Sequence, residues 1–388
     1  MNAWQLLAFP RDPNPYQEDL YRAMRNQGLS VKYAGQLTGS ASLNLLLLPV
    51  ELAVGRARNV RVLHVHWTFG FALPFAERSR WLRILSQLWY TAILHSARRL
   101  GIRVVWTSHN VLPHSQVFDN DLAARRTLID IADLVIAHQE HTLFELQRLG
   151  LRPSRSIVIP HGLDPPPALL DLPPACEGAV RLLFFGKLEG YKGVEDLLVA
   201  MRDAPPELTL VVAGACDDGA LRAHLTRAAD RLGNRVELRF GHVPEAAIPE
   251  LFVAASCCVL PFRAITTSGS ALLAMASGRP VLIPDLPALD HLPSEAVLRY
   301  PAGVAGLGGA LVGLAESDRE TLVAVGARGR QFATEHSWSR VAAETRAALE
   351  ALLDEQSTGG RVSAIRRQHG RGLVQMTRRN DSTTAKVR

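Results

Sequence analysis

The chain has 388 residues, 47 % hydrophobic and 21 % charged, which is material for two or three packed domains and excludes a largely disordered chain. The formal charge of +6 is concentrated at one end. Residues 359–388 hold eight Lys or Arg and one acid, a net of +7 that leaves −1 for the rest, so nothing points to a nucleic-acid enzyme. Four cysteines without a CxxC pair argue against a disulfide scaffold or zinc module and suit a reducing cytoplasm. The opening MNAWQLLAFPRDP has no basic n-region or long apolar stretch, so no secretion signal is expected. Residues 43–54 are interrupted by Asn44, Pro49 and Glu51 and fall short of a membrane span.

Strand-length apolar runs occur at residues 4–9, 30–33, 60–67, 104–108, 134–137 and 157–160. Helix-length segments at 17–27, 80–100, 122–131 and 140–149 lie between them. Such brief, almost uniformly apolar runs suit parallel strands covered on both faces. A proline-rich stretch within 164–178 reads as a stiff linker. The alternation restarts at 181–185, 208–213, 236–240, 257–261 and 280–283, and a last helical pattern covers 338–353. The expected organisation is α/β. Domains at 1–163 and 179–337 are two doubly wound parallel sheets (Rossmann-like), with ligands in the cleft at the carboxyl ends of their strands. Residues 338–354 form a helix crossing back to the first domain, and 355–388 read as a basic disordered tail.

The strand at 181–185 runs into Gly186-Lys187, and Lys192-Gly193 opens the next helix. Two ammonium groups and a positive helix end can converge there on a diphosphate. Two solvated loop lysines are the plain alternative. Downstream, Thr266-Thr267-Ser268-Gly269-Ser270 precedes another helix, where hydroxyls and amides can cradle phosphate oxygens or merely cap the helix. Two such turns on one sheet edge favour a shared nucleotide pocket.

With these residues the chain resembles the GT-B glycosyltransferases, in particular the family-4-like group, over residues 1 to about 353. Gly186-Lys187 and Lys192-Gly193 match that group's G-R-x4-K-G turn, with Lys in place of Arg, which supplies charge without the planar fork. Ile159-Pro160-His161-Gly162-Leu163-Asp164 matches its IPNGVD, and His242-Val243 stand where the nucleobase is enclosed. The resemblance implies two glutamates seven residues apart in retaining members. Here Thr266 and Ala274 occupy those positions. An inverting relative, a donor held differently and lost catalysis all stay open. The TTSGS variant resembles a bacterial exopolysaccharide or glycolipid subset, some of it like β-mannosyltransferases using GDP-mannose.

In such a site lysines and helix dipoles can stabilise the leaving diphosphate, so no cofactor and no metal is expected. Asp119-Asn120-Asp121 and Asp217-Asp218 read as solvated turns rather than metal ligands. For a general base the candidates sit at strand ends: His64 and His66 on one face of their strand, His109 with Asn110, and His138 with Glu140; with His161, four histidine-bearing strand ends converge on one cleft. His109 leads for catalysis or sugar binding, with His66 behind it and Asp119 as the carboxylate alternative. Asn14 and Tyr16, together with His138, are candidates for acceptor binding or for a purely structural turn.

Residues 78–103 carry six Arg and no acid, with Trp81, Leu82, Leu85, Leu88, Trp89 and Ile93 interspersed. Such a helix can lie on an anionic membrane or pack as an ordinary core helix with a wet arginine face. The expected function is hexose transfer from a nucleotide sugar to a carbohydrate or lipid-linked acceptor, in the cytoplasm or peripherally at the inner membrane face. A non-catalytic sugar-nucleotide binder and a GT-B epimerase are the alternatives. Neither first turn has GxGxxG, which disfavours a dinucleotide oxidoreductase.

Overall fold

The structure, a computed structural model, describes residues 4–12, 14–113, 115–165, 180–265 and 268–357. Most of the linker, Thr266, Thr267 and the basic tail, all invoked above, lie outside the described residues.

The first series comprises β1 (Gln5–Phe9), α1 (Pro15–Asn26), β2 (Ser30–Tyr33), α2 (Ala41–Ala57), β3 (Val60–Val65), α3 (Arg80–Arg99), β4 (Arg103–Ser108), α4 (Asp121–Ile131), β5 (Leu134–Ala137), α5 (Glu140–Arg148) and β6 (Ser156–Val158). The second comprises β7 (Arg181–Phe185), α6 (Val194–Asp203), β8 (Thr209–Gly214), α7 (Gly219–Asp230), β9 (Val236–Phe240), α8 (Ile248–Val253), β10 (Cys257–Val259), α9 (Gly269–Ala276), β11 (Val281–Pro284), β12 (Leu298–Tyr300), α10 (Val304–Glu316), α11 (Arg319–Thr334) and α12 (Trp338–Ser357).

Both sheets have six strands, ordered β2-β1-β3-β4-β5-β6 and β12-β11-β10-β7-β8-β9, and every pairing is parallel. Strand order reverses between β1 and β3 and again between β7 and β10. Consecutive loops leave in opposite directions there, which opens a crevice at the carboxyl edge. The central strands are buried on both faces, as their apolar runs require, whereas β9 at the sheet edge alternates between half-buried and exposed.

Several boundaries differ from the sequence expectation. The strand expected at 60–67 stops at Val65, and the one expected at 257–261 stops at Val259, shortly before Pro261, which has no amide to extend a ladder. Residues 43–54 belong to α2, which absorbs Pro49 and buries Asn44, Leu45, Leu48 and Leu52. Its leucines surround most of the cylinder, so it lacks the clean amphipathic period by which α1 is read.

The two halves are tied together where the motif at residues 159–164 meets the start of α12. The Leu163 amide donates to the His336 carbonyl (2.8 Å), and the Trp338 amide donates to Asp164 Oδ1 (3.0 Å). Asp164 thereby takes up an amide at the start of α12, which the helix itself leaves without a partner. Trp338 is buried against Tyr16 of α1, with ring centroids 5.1 Å apart. The remainder of α12 packs on α1 through Val341, Ala342, Leu349 and Leu352. A Cβ built on Gly162 would lie 2.4 Å from the Trp338 ring, so glycine is required for this contact. Gly162→Ala is therefore expected to displace Trp338 and cost about 1–3 kcal/mol, the scale of overpacking. Chemical unfolding measures it, and an unchanged midpoint would show that the ring has room.

Candidate active site

The second sheet presents a stack of glycines at its carboxyl edge. Gly186, Gly214 and Gly241 end β7, β8 and β9 and take φ values of 142°, 155° and 123°, which side-chain-bearing residues rarely adopt. A Cβ on Gly214 would meet the Gly186 carbonyl at 1.9 Å, and one on Gly186 would meet Ser270 Oγ at 2.6 Å. The Gly186 turn and the first turn of α9 are thus in direct contact across the β7/β10 switch point. Ser268 caps α9, its Oγ accepting from the Ala271 amide (3.1 Å), and the earlier amides have no partner within the helix. The role of Gly214 was not legible, since a lone glycine at a strand end has no distinctive pattern.

The two lysines differ. Lys192 is half-buried, its Nζ 5.0 Å from the Phe262 ring centroid and 5.1 Å from that of Tyr191, with no ion-pair partner among the described residues. Burial lowers its pKa, partly offset by Glu189. This is a cation stripped of water and lacking an anion. Lys187 is exposed and already held by Glu189 and Asp217, each at 3.2 Å, so its charge is spent within the protein. His242 is exposed and Val243 half-buried just beyond β9. Ala274 is buried within α9, where it offers nothing to a ligand.

Across the cleft the first sheet gathers its histidines. Register pairs Ser108 with Ala137, so His109 and His138 follow side by side. Tyr16 sits at the centre, only 4 % exposed, with ring centroids 5.7, 4.5, 5.1 and 5.1 Å from His66, His109, His138 and His161. Asn14 accepts from the Tyr16 amide as the cap of α1 (3.0 Å). Asn14 and Tyr16 therefore build the wall that holds the histidines.

Desolvation by burial lowers the pKa of His64 and His138 to about 3, and those of His66 and His109 lie well below the ordinary value for the same leading reason. Four neutral rings each carry one donor and one acceptor, and their polarity follows from the end of the chain. His138 Nδ1 donates to the Ile159 carbonyl (3.0 Å), so its Nε2 accepts from His109 Nδ1 (3.3 Å). His109 Nε2 then accepts from His66 Nδ1 (3.0 Å), and His66 Nε2 from the Tyr21 hydroxyl (2.6 Å). Tyr21 in turn accepts from His64 Nδ1 (2.9 Å), whose Nε2 accepts from the Thr107 hydroxyl (2.8 Å). The result is a head-to-tail chain in which neither nitrogen of His66, His109 or His138 is left over. A base needs a spare lone pair, so the geometry does not favour His109 or His66 in that role. Sequence could not show this, because strand alternation places rings on a face without saying what each nitrogen meets.

Asp119 is also directed elsewhere. Its Oδ1 takes Arg80 Nε at 2.8 Å, and that hydrogen bond holds the carboxyl below its usual range. Asn120 caps α4, and Asp121 accepts from the Val117 and Phe118 amides. Asp218 caps α7. Both acidic pairs are helix-start devices rather than free turns. Among the described residues no group of three or more His, Cys, Asp or Glu is arranged to hold a metal ion.

The two edges meet in a narrow, open cavity. His138, Pro160 and His161 line it from the first sheet, Ser268, Ala271 and Leu272 of the α9 cap and first turn from the second. His291, Phe332 and His336 complete the lining.

Two parallel sheets of this order, meeting at a cleft and clasped by a returning terminal helix, define the GT-B architecture. The family model "Glycosyltransferase Family 4" matches residues 15–166, and "Glycosyl transferases group 1" matches residues 179–316. The chain belongs to the GT-B glycosyltransferases of the family-4-like group. It is 29 % identical over 225 residues to a GDP-mannose:glycolipid 4-beta-D-mannosyltransferase of Xanthomonas campestris pv. campestris. That match covers 58 % of this chain and spans 61 % of the relative's length. In fold it is similar to sucrose-phosphate synthase from Thermosynechococcus elongatus (TM-score 0.69, 19 % identity), over 90 % of this chain and 99 % of the other. It is likewise similar to Anabaena HepE in complex with UDP and glucose (TM-score 0.66, 15 % identity), over 90 % and 100 %.

The neutral histidine chain has a consequence for pH. Unfolded histidines titrate near ~6.5, well above the folded values, so below that pH the unfolded chain binds more protons. The stability that these rings confer is complete above about pH 6.5 and falls as the pH drops toward 3. Urea unfolding at pH 7.5 and 5.0 is expected to give a clearly lower midpoint at the acid value. Equal midpoints would mean that the rings are charged in the native state.

Proposed function

We propose that the chain transfers a hexose from a nucleoside-diphosphate sugar to a hydroxyl of a carbohydrate or lipid-linked acceptor, GDP-mannose being the first donor to test. The observation that carries this reading is the cleft. The cap and first turn of α9 on one lobe share a cavity with His138 and His161 on the other, and Lys192, half-buried and without an ion-pair partner among the described residues, follows the neighbouring strand β7. The helix start and the lysine suit a diphosphate, since charge developing on it as the sugar leaves meets a preorganised cation and backbone donors. The histidines suit hydroxyls, which neutral imidazoles can bind without the strong attraction to phosphate that imidazoliums would exert. The mannosyltransferase relative supports the choice of donor, and no metal is assigned to the step.

Peripheral membrane contact belongs to the same proposal. Leu43, Leu46, Val50 and Val54 are exposed on α2, as are Leu85 and Leu88 on α3 beside Trp81, which is 76 % exposed. The helices are neighbours, Trp89 Nε1 donating to the Leu45 carbonyl (3.0 Å), so their apolar stripes adjoin. Arg98 and Arg99 are exposed at the end of α3 and complement anionic headgroups, whereas Arg78 and Arg80 are paired with Glu77 and Asp119. No described helix is long and apolar enough to cross a membrane.

Lys192→Ala is expected to weaken donor binding by about 1–3 kcal/mol, the scale of a charge-assisted hydrogen bond, and Lys187→Ala by less. Calorimetry with GDP-mannose and UDP-glucose measures this, and equal losses for both lysines would contradict the difference in their pairing. On the membrane side, a Trp81→Glu, Leu88→Glu double variant is expected to lower partition into phosphatidylglycerol-containing vesicles by at least about tenfold. Sedimentation with wild-type yield would remove that face from membrane contact.

A further inference from the structure

We propose that His161 is the general base of the transfer, taking the proton from the acceptor hydroxyl through Nε2. This rests on the transferase reading and adds the residue that performs its proton step. His161 lines the cavity on the acceptor-side lobe and shares that cavity with Ser268, Ala271 and Leu272 at the start of α9. Its Nδ1 stands 2.7 Å from the Gly162 carbonyl, an acceptor only, so Nδ1 must carry the proton. The lone pair is then on Nε2, at the opposite edge of the ring, with no protein partner among the described residues. In His66, His109 and His138 both nitrogens are committed, so of the four clustered strand-end histidines named above His161 alone keeps a basic nitrogen for a ligand.

The surroundings suit the task. Burial lowers the pKa of the ring, while the hydrogen bond to the Gly162 carbonyl pulls it back up, so near neutral pH the ring waits unprotonated. A neutral imidazole with Nδ1 protonated offers the cavity only an acceptor, which repels phosphate oxygens and attracts a hydroxyl proton. As the acceptor oxygen bonds to the anomeric carbon, its proton passes to Nε2. The bond from that carbon to the diphosphate oxygen breaks, and the electron pair leaves with the diphosphate. The transient imidazolium then lies beside the rings of Tyr16 and Trp338, with centroids 5.1 and 5.4 Å away, whose faces can stabilise a cation. A single displacement by the base-activated hydroxyl, entering opposite the departing diphosphate, inverts the anomeric carbon.

The assay follows nucleoside diphosphate released from GDP-mannose or UDP-glucose in the presence of a bacterial lipid extract, with donor affinity measured separately by calorimetry. His161→Ala is expected to lower kcat by about 10²–10⁴-fold with donor affinity within about twofold, and added imidazole is expected to restore part of the rate. In the wild type kcat/KM is expected to fall on the acid side as His161 protonates, and that limb is expected to vanish in the variant. The other titratable groups around the cavity are His138, Tyr16, His291 and His336, so His336→Ala is the companion variant; its Nδ1 is likewise 2.7 Å from a carbonyl, that of Phe332. If His161→Ala keeps the wild-type rate, or if His336→Ala alone abolishes the acid limb, the assignment to His161 is overturned and the transferase reading stands. A wild type that neither binds nor consumes either donor overturns the transferase reading, and the base with it.

Discussion

Two sheet edges that face each other form a site only if the gap between them is fixed, and here the clasp at residues 159–164 does the fixing. The chain leaves β6, lays the Leu163 amide on the His336 carbonyl, and takes up the Trp338 amide with Asp164. Trp338 then fills the space that Gly162 leaves open and closes over Tyr16. One short contact therefore sets the start of α12 against the acceptor-side lobe and shuts water away from the histidine wall. The low pKa values of those rings are a result of this burial, and their neutrality lets them chain through single protons.

The lobes divide the chemistry according to what their strand ends leave exposed. At the carboxyl edge of the second sheet the glycines that end β7 and β8 let the turns pack closely on one another, and α9 starts in contact with the first of them. On the acceptor side the strand ends carry imidazoles in place of glycines. Hydrogen bonding removes most of their basicity from use and concentrates what is left at the edge of the cavity.

The donor pocket proposed at the edge of the second sheet is drawn from local sequence features. Gly186, Lys187, Lys192 and Ser268–Ser270 stand in two short stretches at strand-to-helix turns, and such spacing alone brings amides and ammonium groups toward one point. The unequal pairing of the two lysines was not local in this way, since Glu189 lies within the same turn but Asp217 comes from the next strand's loop and Phe262 from a third. On the acceptor side the gathering of His66, His109, His138 and His161 followed from their shared position at strand ends. Their individual roles did not, because a ring nitrogen's partner is a matter of ångströms across strands that only the register and the turn beyond it define.

What the amino-acid order by itself determined is therefore the two-sheet architecture and the family, together with a list of candidate groups at the strand ends. These rest on periodicity, turn chemistry and short motifs, all effects that act within about twenty residues. What only the tertiary structure decided is how those groups are paired: among the described residues Lys192 rather than Lys187 lacks an ion-pair partner, His161 rather than His109 keeps a ring nitrogen without one, and Asp119 is bound to an arginine. Availability is set by partners that arrive from distant parts of the chain, and hydrogen bonds and ion pairs are too short-ranged for sequence spacing to reveal them.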